Sequence, residues 1–373
     1  MDTAEAAPTQ GLRYAIIGSA AGIAKLHLDA LSKLPNAKLV GMADVAVERG
    51  KERAAEYGTP FFADHRELLN EVRPDVAVIC TPHPFHMPIA LDAFEAGAHV
   101  LVEKPLAVTV EEGDRMIAAA KAANRLLAVN FQQRFRPAIL RARQLVETGE
   151  LGEIVRTLCV EPWYRPAAYY ASASWRGTWK GEGGGVLMNQ APHTLDLLCH
   201  LGGLPSKVWG TVRRFAHKIE VEDTAQALLE YQNGGSGYLH INTTEAGLTK
   251  RLEIVGDRAA IELIGETLRI YRFSEPLSEF RANSKEMFAA PKSEIEEISF
   301  EAGPGHLAVY QDLEDAIASG RQPLANGEEA LMSLELANAI TLSSFQERAV
   351  TTPVDRAAYT QLLADLRAGE KSL

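Results

Sequence analysis

Hydrophobic and polar positions follow two different rhythms along this chain. From Arg13 to about Asn130, short apolar runs recur between stretches of helical spacing: Tyr14-Ala15-Ile16-Ile17, Leu39-Val40-Gly41-Met42-Ala43, Val76-Ala77-Val78-Ile79-Cys80, Ala98-His99-Val100-Leu101-Val102 and Leu126-Leu127-Ala128-Val129. Runs that are apolar at every position mark strands buried on both faces of a parallel sheet, and residues 22–33, 46–57, 88–96 and 111–123 read as the crossover helices. After about Arg136 the rhythm changes. A helix to Glu147 precedes alternating segments at 154–160, 206–215, 223–231, 236–244, 250–256 and 259–272, with turn formers such as Asn233-Gly234-Gly235 between them, which predicts hairpins in an antiparallel or mixed sheet. Residues 273–304 are charged and irregular and predict no element, whereas 306–320 and 327–347 return to helical periodicity. The pattern divides the chain into a disordered leader at 1–12, a parallel α/β domain at 13–135 and an α+β domain at 136–373 whose last helices pack partly on the first.

Composition narrows the function classes. The chain has 373 residues, 46% hydrophobic and 23% charged, with a net charge of −11, an acidic balance that argues against binding a phosphate backbone and for a small-molecule protein. Met1 to Pro8 carries two acids and neither a basic segment nor an apolar core, so it does not read as a signal peptide. No apolar run approaches the roughly 18 residues of a membrane span. Cys80, Cys159 and Cys199 are too far apart for a CxxC pair or a disulfide framework, so a reducing cytoplasm is the expected compartment and no structural metal is expected.

Three strand ends carry candidate chemistry. Gly18 follows the first strand, and Gly18-Ser19-Ala20-Ala21-Gly22 leads into a helix near Ile23, where small residues let a pyrophosphate approach backbone N–H groups. A strict GxGxxG is absent, because Ala20 occupies the second glycine position and Gly22 takes that role across a one-residue insertion. Asp44 ends the second strand about 25 residues on, placed either to accept hydrogen bonds from an adenosine ribose or to cap the helix near Val45; a carboxylate there repels a 2′-phosphate and favours NAD over NADP. The loop Thr81-Pro82-His83-Pro84-Phe85-His86 leaves the strand ending at Cys80, with His86 either lining a cofactor crevice or starting a helix as a satisfied side chain. Glu103-Lys104-Pro105 then delivers a lysine to the same sheet edge, where it can donate to a substrate hydroxyl; Pro105 disfavours α geometry at Lys104 and allows a cis bond.

A second cluster lies in the later domain. Gly183-Gly184-Gly185 leads into a predicted helix over 186–200, on which Asn189, His193, Asp196 and His200 form one stripe and Leu187, Ala191, Thr194, Leu195 and Leu198 the opposite face. The stripe lacks the Lys and Glu of an ordinary solvated face. The intrinsic pKa of an imidazole suits His193 to proton transfer, Asp196 one turn on is placed to orient it, and His200 reads as structural. Upstream, Trp163, Tyr164, Arg165, Tyr169, Tyr170, Trp175, Arg176 and Trp179 crowd together in a chain that is only 7% aromatic. Aromatic faces and Arg groups suit a carbohydrate pocket, with core packing or an oligomer contact as the other reading for about half of them.

Gly18 to Gly22, Asp44, Thr81-Pro82, His86 and Glu103-Lys104-Pro105, in that order, resemble the glucose-fructose oxidoreductase and inositol dehydrogenase family, Gfo/Idh/MocA. Phe131-Gln132-Gln133-Arg134-Phe135 and the segment from Gly183 to His193 resemble its later motifs, so the likeness spans nearly the whole chain. The resemblance implies an α/β protein: an N-terminal Rossmann domain with a doubly wound parallel sheet, then a C-terminal α+β domain with an open-faced, largely antiparallel sheet through which a homodimer or homotetramer forms. It implies NAD or, less in keeping with Asp44, NADP, and hydride transfer between nicotinamide and a sugar, anhydrosugar or cyclitol. It places Gly18, Ala21, Gly22, Ile23, Asp44, Thr81, Pro82, His86, Glu103, Lys104, Gln132, Trp175 and Arg176 with the cofactor. Lys104, His193 and Asn189 would be catalytic, and Lys104, Tyr164, Arg165, Trp175, Asn189 and His193 would meet the substrate. Many relatives carry Asp where this chain has Asn189, which leaves His193 and Lys104 to share the acid–base work. A redox-assisted glycosidase and a non-catalytic sugar or NAD sensor are the rival functions within this fold.

Overall fold

The computed structural model describes residues 11–373, so the expected leader lies, apart from Gly11 and Leu12, outside the described residues. In chain order the elements begin β1 Arg13–Ile17, α1 Ala24–Ser32, β2 Lys38–Ala43, α2 Val47–Glu56, β3 Phe61–Phe62, α3 His65–Val72, β4 Val76–Ile79, α4 His86–Glu95, β5 His99–Val102, α5 Val110–Ala122 and β6 Leu127–Val129. They continue with α6 Pro137–Glu147, β7 Ile154–Pro162, α7 Ala167–Tyr170, α8 Trp179–Glu182, α9 Pro192–Gly202, β8 Lys207–Arg213, β9 Thr224–Glu230, β10 Ser236–Asn242 and β11 Arg251–Gly256. Last come β12 Ala259–Ile264, β13 Thr267–Phe273, α10 Leu277–Asn283, β14 Ser293–Ser299, α11 His306–Ser319, α12 Gly327–Gln346, β15 Val350–Thr351 and α13 Arg356–Ala368.

The chain forms two compact units. The first comprises residues up to Glu103, then Asp114–Asn130 and Gly305–Gly327; the second comprises Lys104–Gly113, Phe131–Pro304 and Glu328–Leu373. In the first, six parallel strands run in the order β3-β2-β1-β4-β5-β6. Every residue of β4 is buried, as the unbroken apolar run requires of a strand covered on both faces. The strand order reverses beside β1, and the strand-end loops after β1 and β4 lie at that switch point, where such sheets bind ligands.

The second unit is built on nine strands in the order β14-β13-β12-β11-β7-β10-β9-β8-β15, antiparallel except for the parallel pair β7 and β10. β8 and β9 alternate buried and exposed positions, so one face packs inward and the other is open. α9 packs on the covered face against β7 and β11.

Two expectations need correction, and one segment left without a reading contains elements. The helix expected over 186–200 begins only at Pro192, and residues 186–191 are turns. Gly185 lies so close to the carbonyl of Glu222 that a Cβ would come within 1.9 Å of its oxygen, Val186 N donates to the same oxygen, and Pro192 suits a first helical position because no N–H is needed there. The run 259–272 is a hairpin of β12 and β13 turned at Gly265, whose φ is +59°. The irregular stretch 273–304 contains α10 and the edge strand β14, whose charged residues mask its strand character.

Candidate active site

In the first unit, the turn after β1 is shaped by Gly18. Its φ is +89°, and a Cβ there would lie 2.7 Å from the carbonyl carbon of Cys80 and 2.8 Å from the nitrogen of Thr81. Gly22 differs, since a Cβ there would meet no atom within 4 Å. Ala21 N closes the turn onto Gly18 O at 3.1 Å, and α1 starts at Ala24 with Ile23 as its N-cap.

Asp44 ties this turn to the end of β2. Its Oδ2 accepts from Ala20 N at 2.7 Å and its Oδ1 from Ala46 N at 2.7 Å. The N-cap of α2 is Ala46, so Asp44 braces both loops from outside the helix. From α2, Arg49 donates to Ala20 O at 2.8 Å and Arg53 to Ser19 O at 3.0 Å. Sequence reasoning missed both arginines; their spacing of four on the helix that follows Asp44 was the available signal.

After β4, Pro82 leads into a 3₁₀ turn, His83–Phe85, and His86 starts α4 with Nε2 at 2.9 Å from Thr81 O. His86 is thus a hydrogen-bonded residue at the start of the helix. Ser19 Oγ and Thr81 Oγ1 are buried with no hydrogen-bond partner among the described residues. Orphaned hydroxyls beside a turn that is open at Gly22 fit a polar dinucleotide.

Glu103 follows β5 directly and lies within a buried network. It faces His27 Nε2 at 2.8 Å and accepts from Asn130 Nδ2 at 2.5 Å, while His27 Nδ1 meets Tyr310 Oη at 2.8 Å. Glu103 is engaged with the interior of its own unit.

In the second unit, the Lys104–Pro105 bond is cis and Lys104 Nζ donates to the backbone oxygen of Asn189 at 2.6 Å. Asn189 Nδ2 donates to Glu182 Oε1, and Asn189 Oδ1 accepts from Tyr169 Oη at 3.3 Å. Tyr169 Oη in turn accepts from Arg176 Nη1 at 2.6 Å and Gln190 Nε2 at 3.2 Å. The Arg176 guanidinium lies 4.4 Å from the Tyr169 ring centre and 4.6 Å from that of Trp175. Glu182 Oε2 accepts from Gly177 N at 2.6 Å, and burial pushes its carboxyl above the ordinary range. Gln132 starts a 3₁₀ turn, Gln132–Phe135, with its Oε1 buried and unpartnered among the described residues.

His193 lies in the first turn of α9, edge-on to Phe131 with ring centres 5.7 Å apart. Asp196 does not orient it. Asp196 instead forms a bidentate pair with fully buried Arg134, Nε–Oδ2 at 2.9 Å and Nη2–Oδ1 at 2.6 Å, and Arg134 Nη1 reaches Glu329 at 2.5 Å. A guanidinium without water needs carboxylates, and that demand fixes Asp196. His200, read as structural, lies 3.4 Å from Glu329.

A cavity of about 440 Å³ in this unit is lined by Gln133, Arg136, Glu161, Trp163, His193 and Lys250, among others. Lys250 Nζ sits 3.2 Å from the Trp163 ring centre and 2.5 Å from Glu161 Oε1, and Arg165 stacks between Trp163 at 5.3 Å and Tyr169 at 5.0 Å. Tyr164 is exposed and offers Arg165 only its carbonyl, at 3.1 Å. Neither Glu161 nor Lys250 stood out in the sequence, because each belongs to an ordinary strand pattern.

Residues 12–131 match the family model described as the oxidoreductase family with an NAD-binding Rossmann fold, and residues 139–262 match that of the GFO/IDH/MocA C-terminal domain. The D-glucoside 3-dehydrogenase of Escherichia coli is 29% identical over 276 residues, covering 68% of this chain and 77% of its own. The levoglucosan dehydrogenase of Pseudarthrobacter phenanthrenivorans is 29% identical over 288 residues, covering 68% of this chain and 73% of its own. Among solved structures, the WlbA dehydrogenase of Bordetella pertussis in complex with NADH and UDP-GlcNAcA aligns with a TM-score of 0.79 and 28% identity, over 94% of this chain and 100% of that one. With an NAD-binding unit and a C-terminal domain each matched in the family's order, the chain belongs to the Gfo/Idh/MocA family of oxidoreductases.

Proposed function

We propose that this protein is an NAD-dependent dehydrogenase of a sugar, anhydrosugar or cyclitol hydroxyl, acting through Lys104 and His193. The observation that carries the reading is the 2.6 Å hydrogen bond from Lys104 Nζ to the carbonyl of Asn189, which draws the E-K-P lysine onto the segment of His193. Relatives named for glucosides and levoglucosan support a carbohydrate hydroxyl. Gly18, Gly22, Asp44 and Thr81 hold the dinucleotide, and Asp44 favours NAD over its 2′-phosphorylated form. When bound, NAD supplies the acceptor for the hydride of the carbinol carbon. Lys104, as an ammonium, donates a hydrogen bond to the carbinol oxygen and stabilises the negative charge that grows there, and one ring nitrogen of His193 takes the hydroxyl proton. Trp163, Arg165 and Lys250 provide stacking surface and donors for the rest of the ring.

A panel of cyclitols, aldoses and anhydrosugars, followed by NADH absorbance, tests the reading. At least one should be oxidised, and Lys104→Ala and His193→Ala should each lower kcat by about 10²- to 10⁴-fold while NADH binding persists. Near-wild-type turnover in either variant sinks the role assignments.

The reading extends to assembly and compartment. Trp209, Leu228 and Tyr238 are exposed and stand in register across β8, β9 and β10, and we take this open face as the surface through which copies associate. Cys80, Cys159 and Cys199 are all buried free thiols, in keeping with a reducing cytoplasm.

A further inference from the structure

Asn189 is a neutral amide, yet its surroundings are not without a carboxylate. Glu182, only 1% exposed, closes the single turn of α8, and both of its oxygens are engaged. Oε2 accepts from Gly177 N at 2.6 Å and Oε1 from the Asn189 amide. One cation faces it directly, Arg176 Nη1 at 4.0 Å from Oε1, and Lys104 is linked to it through Asn189, whose carbonyl accepts from Lys104 Nζ and whose amide donates to Oε1. The other titratable groups whose fields couple to it are the Glu222 carboxyl and the Tyr170 phenol.

The surrounding backbone fixes this carboxylate in place. Thr178 caps α8 by accepting from Gly181 N at 3.0 Å, and Gly183 leaves the helix with φ +76° at a point where a Cβ would strike Val108. Asn189 N is held by Gly185 O at 2.9 Å, so its carbonyl, the acceptor for Lys104, has a defined position. An Asp at 189 would set two carboxylates against one another, whereas an amide donates to one side and accepts from the other.

We propose that Glu182 carries the carboxylate of this catalytic centre, one hydrogen bond removed from position 189, and acts as a positioning residue that orients Asn189 and keeps Lys104 an ammonium. The pair Glu182 and Asn189 combines an acid with an amide in one hydrogen-bonded unit. The inference rests on the dehydrogenase reading and deepens it.

Moving the carboxylate back tests it. Glu182→Gln keeps the shape, retains an acceptor for Gly177 N and removes the charge. It should lower kcat by about 10- to 100-fold and shift the alkaline limb of the kcat/KM profile down by about one pH unit, because Lys104 loses a proton more readily without its counter-charge. Asn189→Asp alone should lose activity at neutral pH through carboxylate repulsion. The double variant Glu182→Gln, Asn189→Asp should recover to within about fivefold of wild type, a rescue that a merely structural Glu182 does not predict. An unshifted limb in Glu182→Gln, or a double variant no better than that single one, overturns the proposal. If no sugar of the panel is oxidised by the wild type, the dehydrogenase reading falls separately. The pH dependence of Lys104 acetylation by acetic anhydride, read by mass spectrometry in the same three variants, then decides the Glu182 proposal without turnover. A lower Lys104 pKa in Glu182→Gln, restored in the double variant, supports it, and an unchanged one overturns it.

Discussion

Glu222 is buried beneath the triple-glycine turn, its Oε1 accepting from Leu187 N at 3.0 Å and its Oε2 without a partner, and burial pushes its carboxyl up to about 7. Between the ordinary carboxylate range and pH 7 the unfolded chain gives up this proton while the folded one keeps it, so folding binds a proton and stability falls as pH rises through that window. The shift corresponds to about 3 kcal/mol at its full extent. In Glu222→Gln, the stability difference between pH 5 and pH 8, measured by urea unfolding, should therefore shrink by about that amount; an unchanged difference would mean that Glu222 ionises freely in the fold. At this scale the sequence was legible where a residue's place in the chain determines its role. Lys104 stood out because it follows a buried strand and precedes a proline. Asp196 was misread because helical spacing shows only neighbours on one helix, and its true partner, Arg134, is 62 residues earlier. Glu182 gave no signal, since a lone acid in an irregular segment looks like any surface acid until its burial is known.

Most elements of the first unit were readable to within a few residues because their strands are apolar runs and their crossovers amphipathic, but β3 and α3, within residues 61–72, were not read. Where glycine and proline interrupt that code, periodicity fails: it carried α9 back through six residues of turn and fused β12 with β13 across Gly265. The turn from β1 to α1 separates two kinds of glycine. Gly18→Ala forces a Cβ into the Cys80–Thr81 backbone at positive φ and should cost about 2 kcal/mol or more in folding stability by chemical denaturation. Gly22→Ala meets nothing in the protein, so stability should stay within about 0.5 kcal/mol while the Kd for NADH rises at least tenfold. Wild-type NADH affinity in Gly22→Ala would remove that glycine from the cofactor site.

For the whole molecule, the two sheet types followed from the change of rhythm near Arg136, but the path of the chain did not. Each unit is assembled from three separate segments, and residues 305–327 return to the first unit, where Ala325 O accepts from Val129 N at 2.9 Å and Tyr310 supports His27. Long-range pairings of this kind leave no local signature. The open face of the larger sheet makes its prediction at the same scale. Leu228→Glu places a charge between Trp209 and Tyr238, and if copies associate through this face, light scattering at micromolar concentration should show a smaller mass than wild type, in a species that still binds NADH. An unaltered mass would assign assembly to another surface.

A β-sheet is in principle open to unlimited growth, because the last strand of one molecule can template the first strand of the next. The edge strand β14 presents Glu294, Glu296 and Glu297, with Arg269 and Arg272 from its own neighbour β13 already engaging Glu297 at 2.5 Å and Glu296 at 2.7 Å. A second copy laid against that edge would set carboxylate beside carboxylate with the compensating arginines already taken. The acidic stretch thus gives the sheet a charged edge of the kind that disfavours the addition of a further strand.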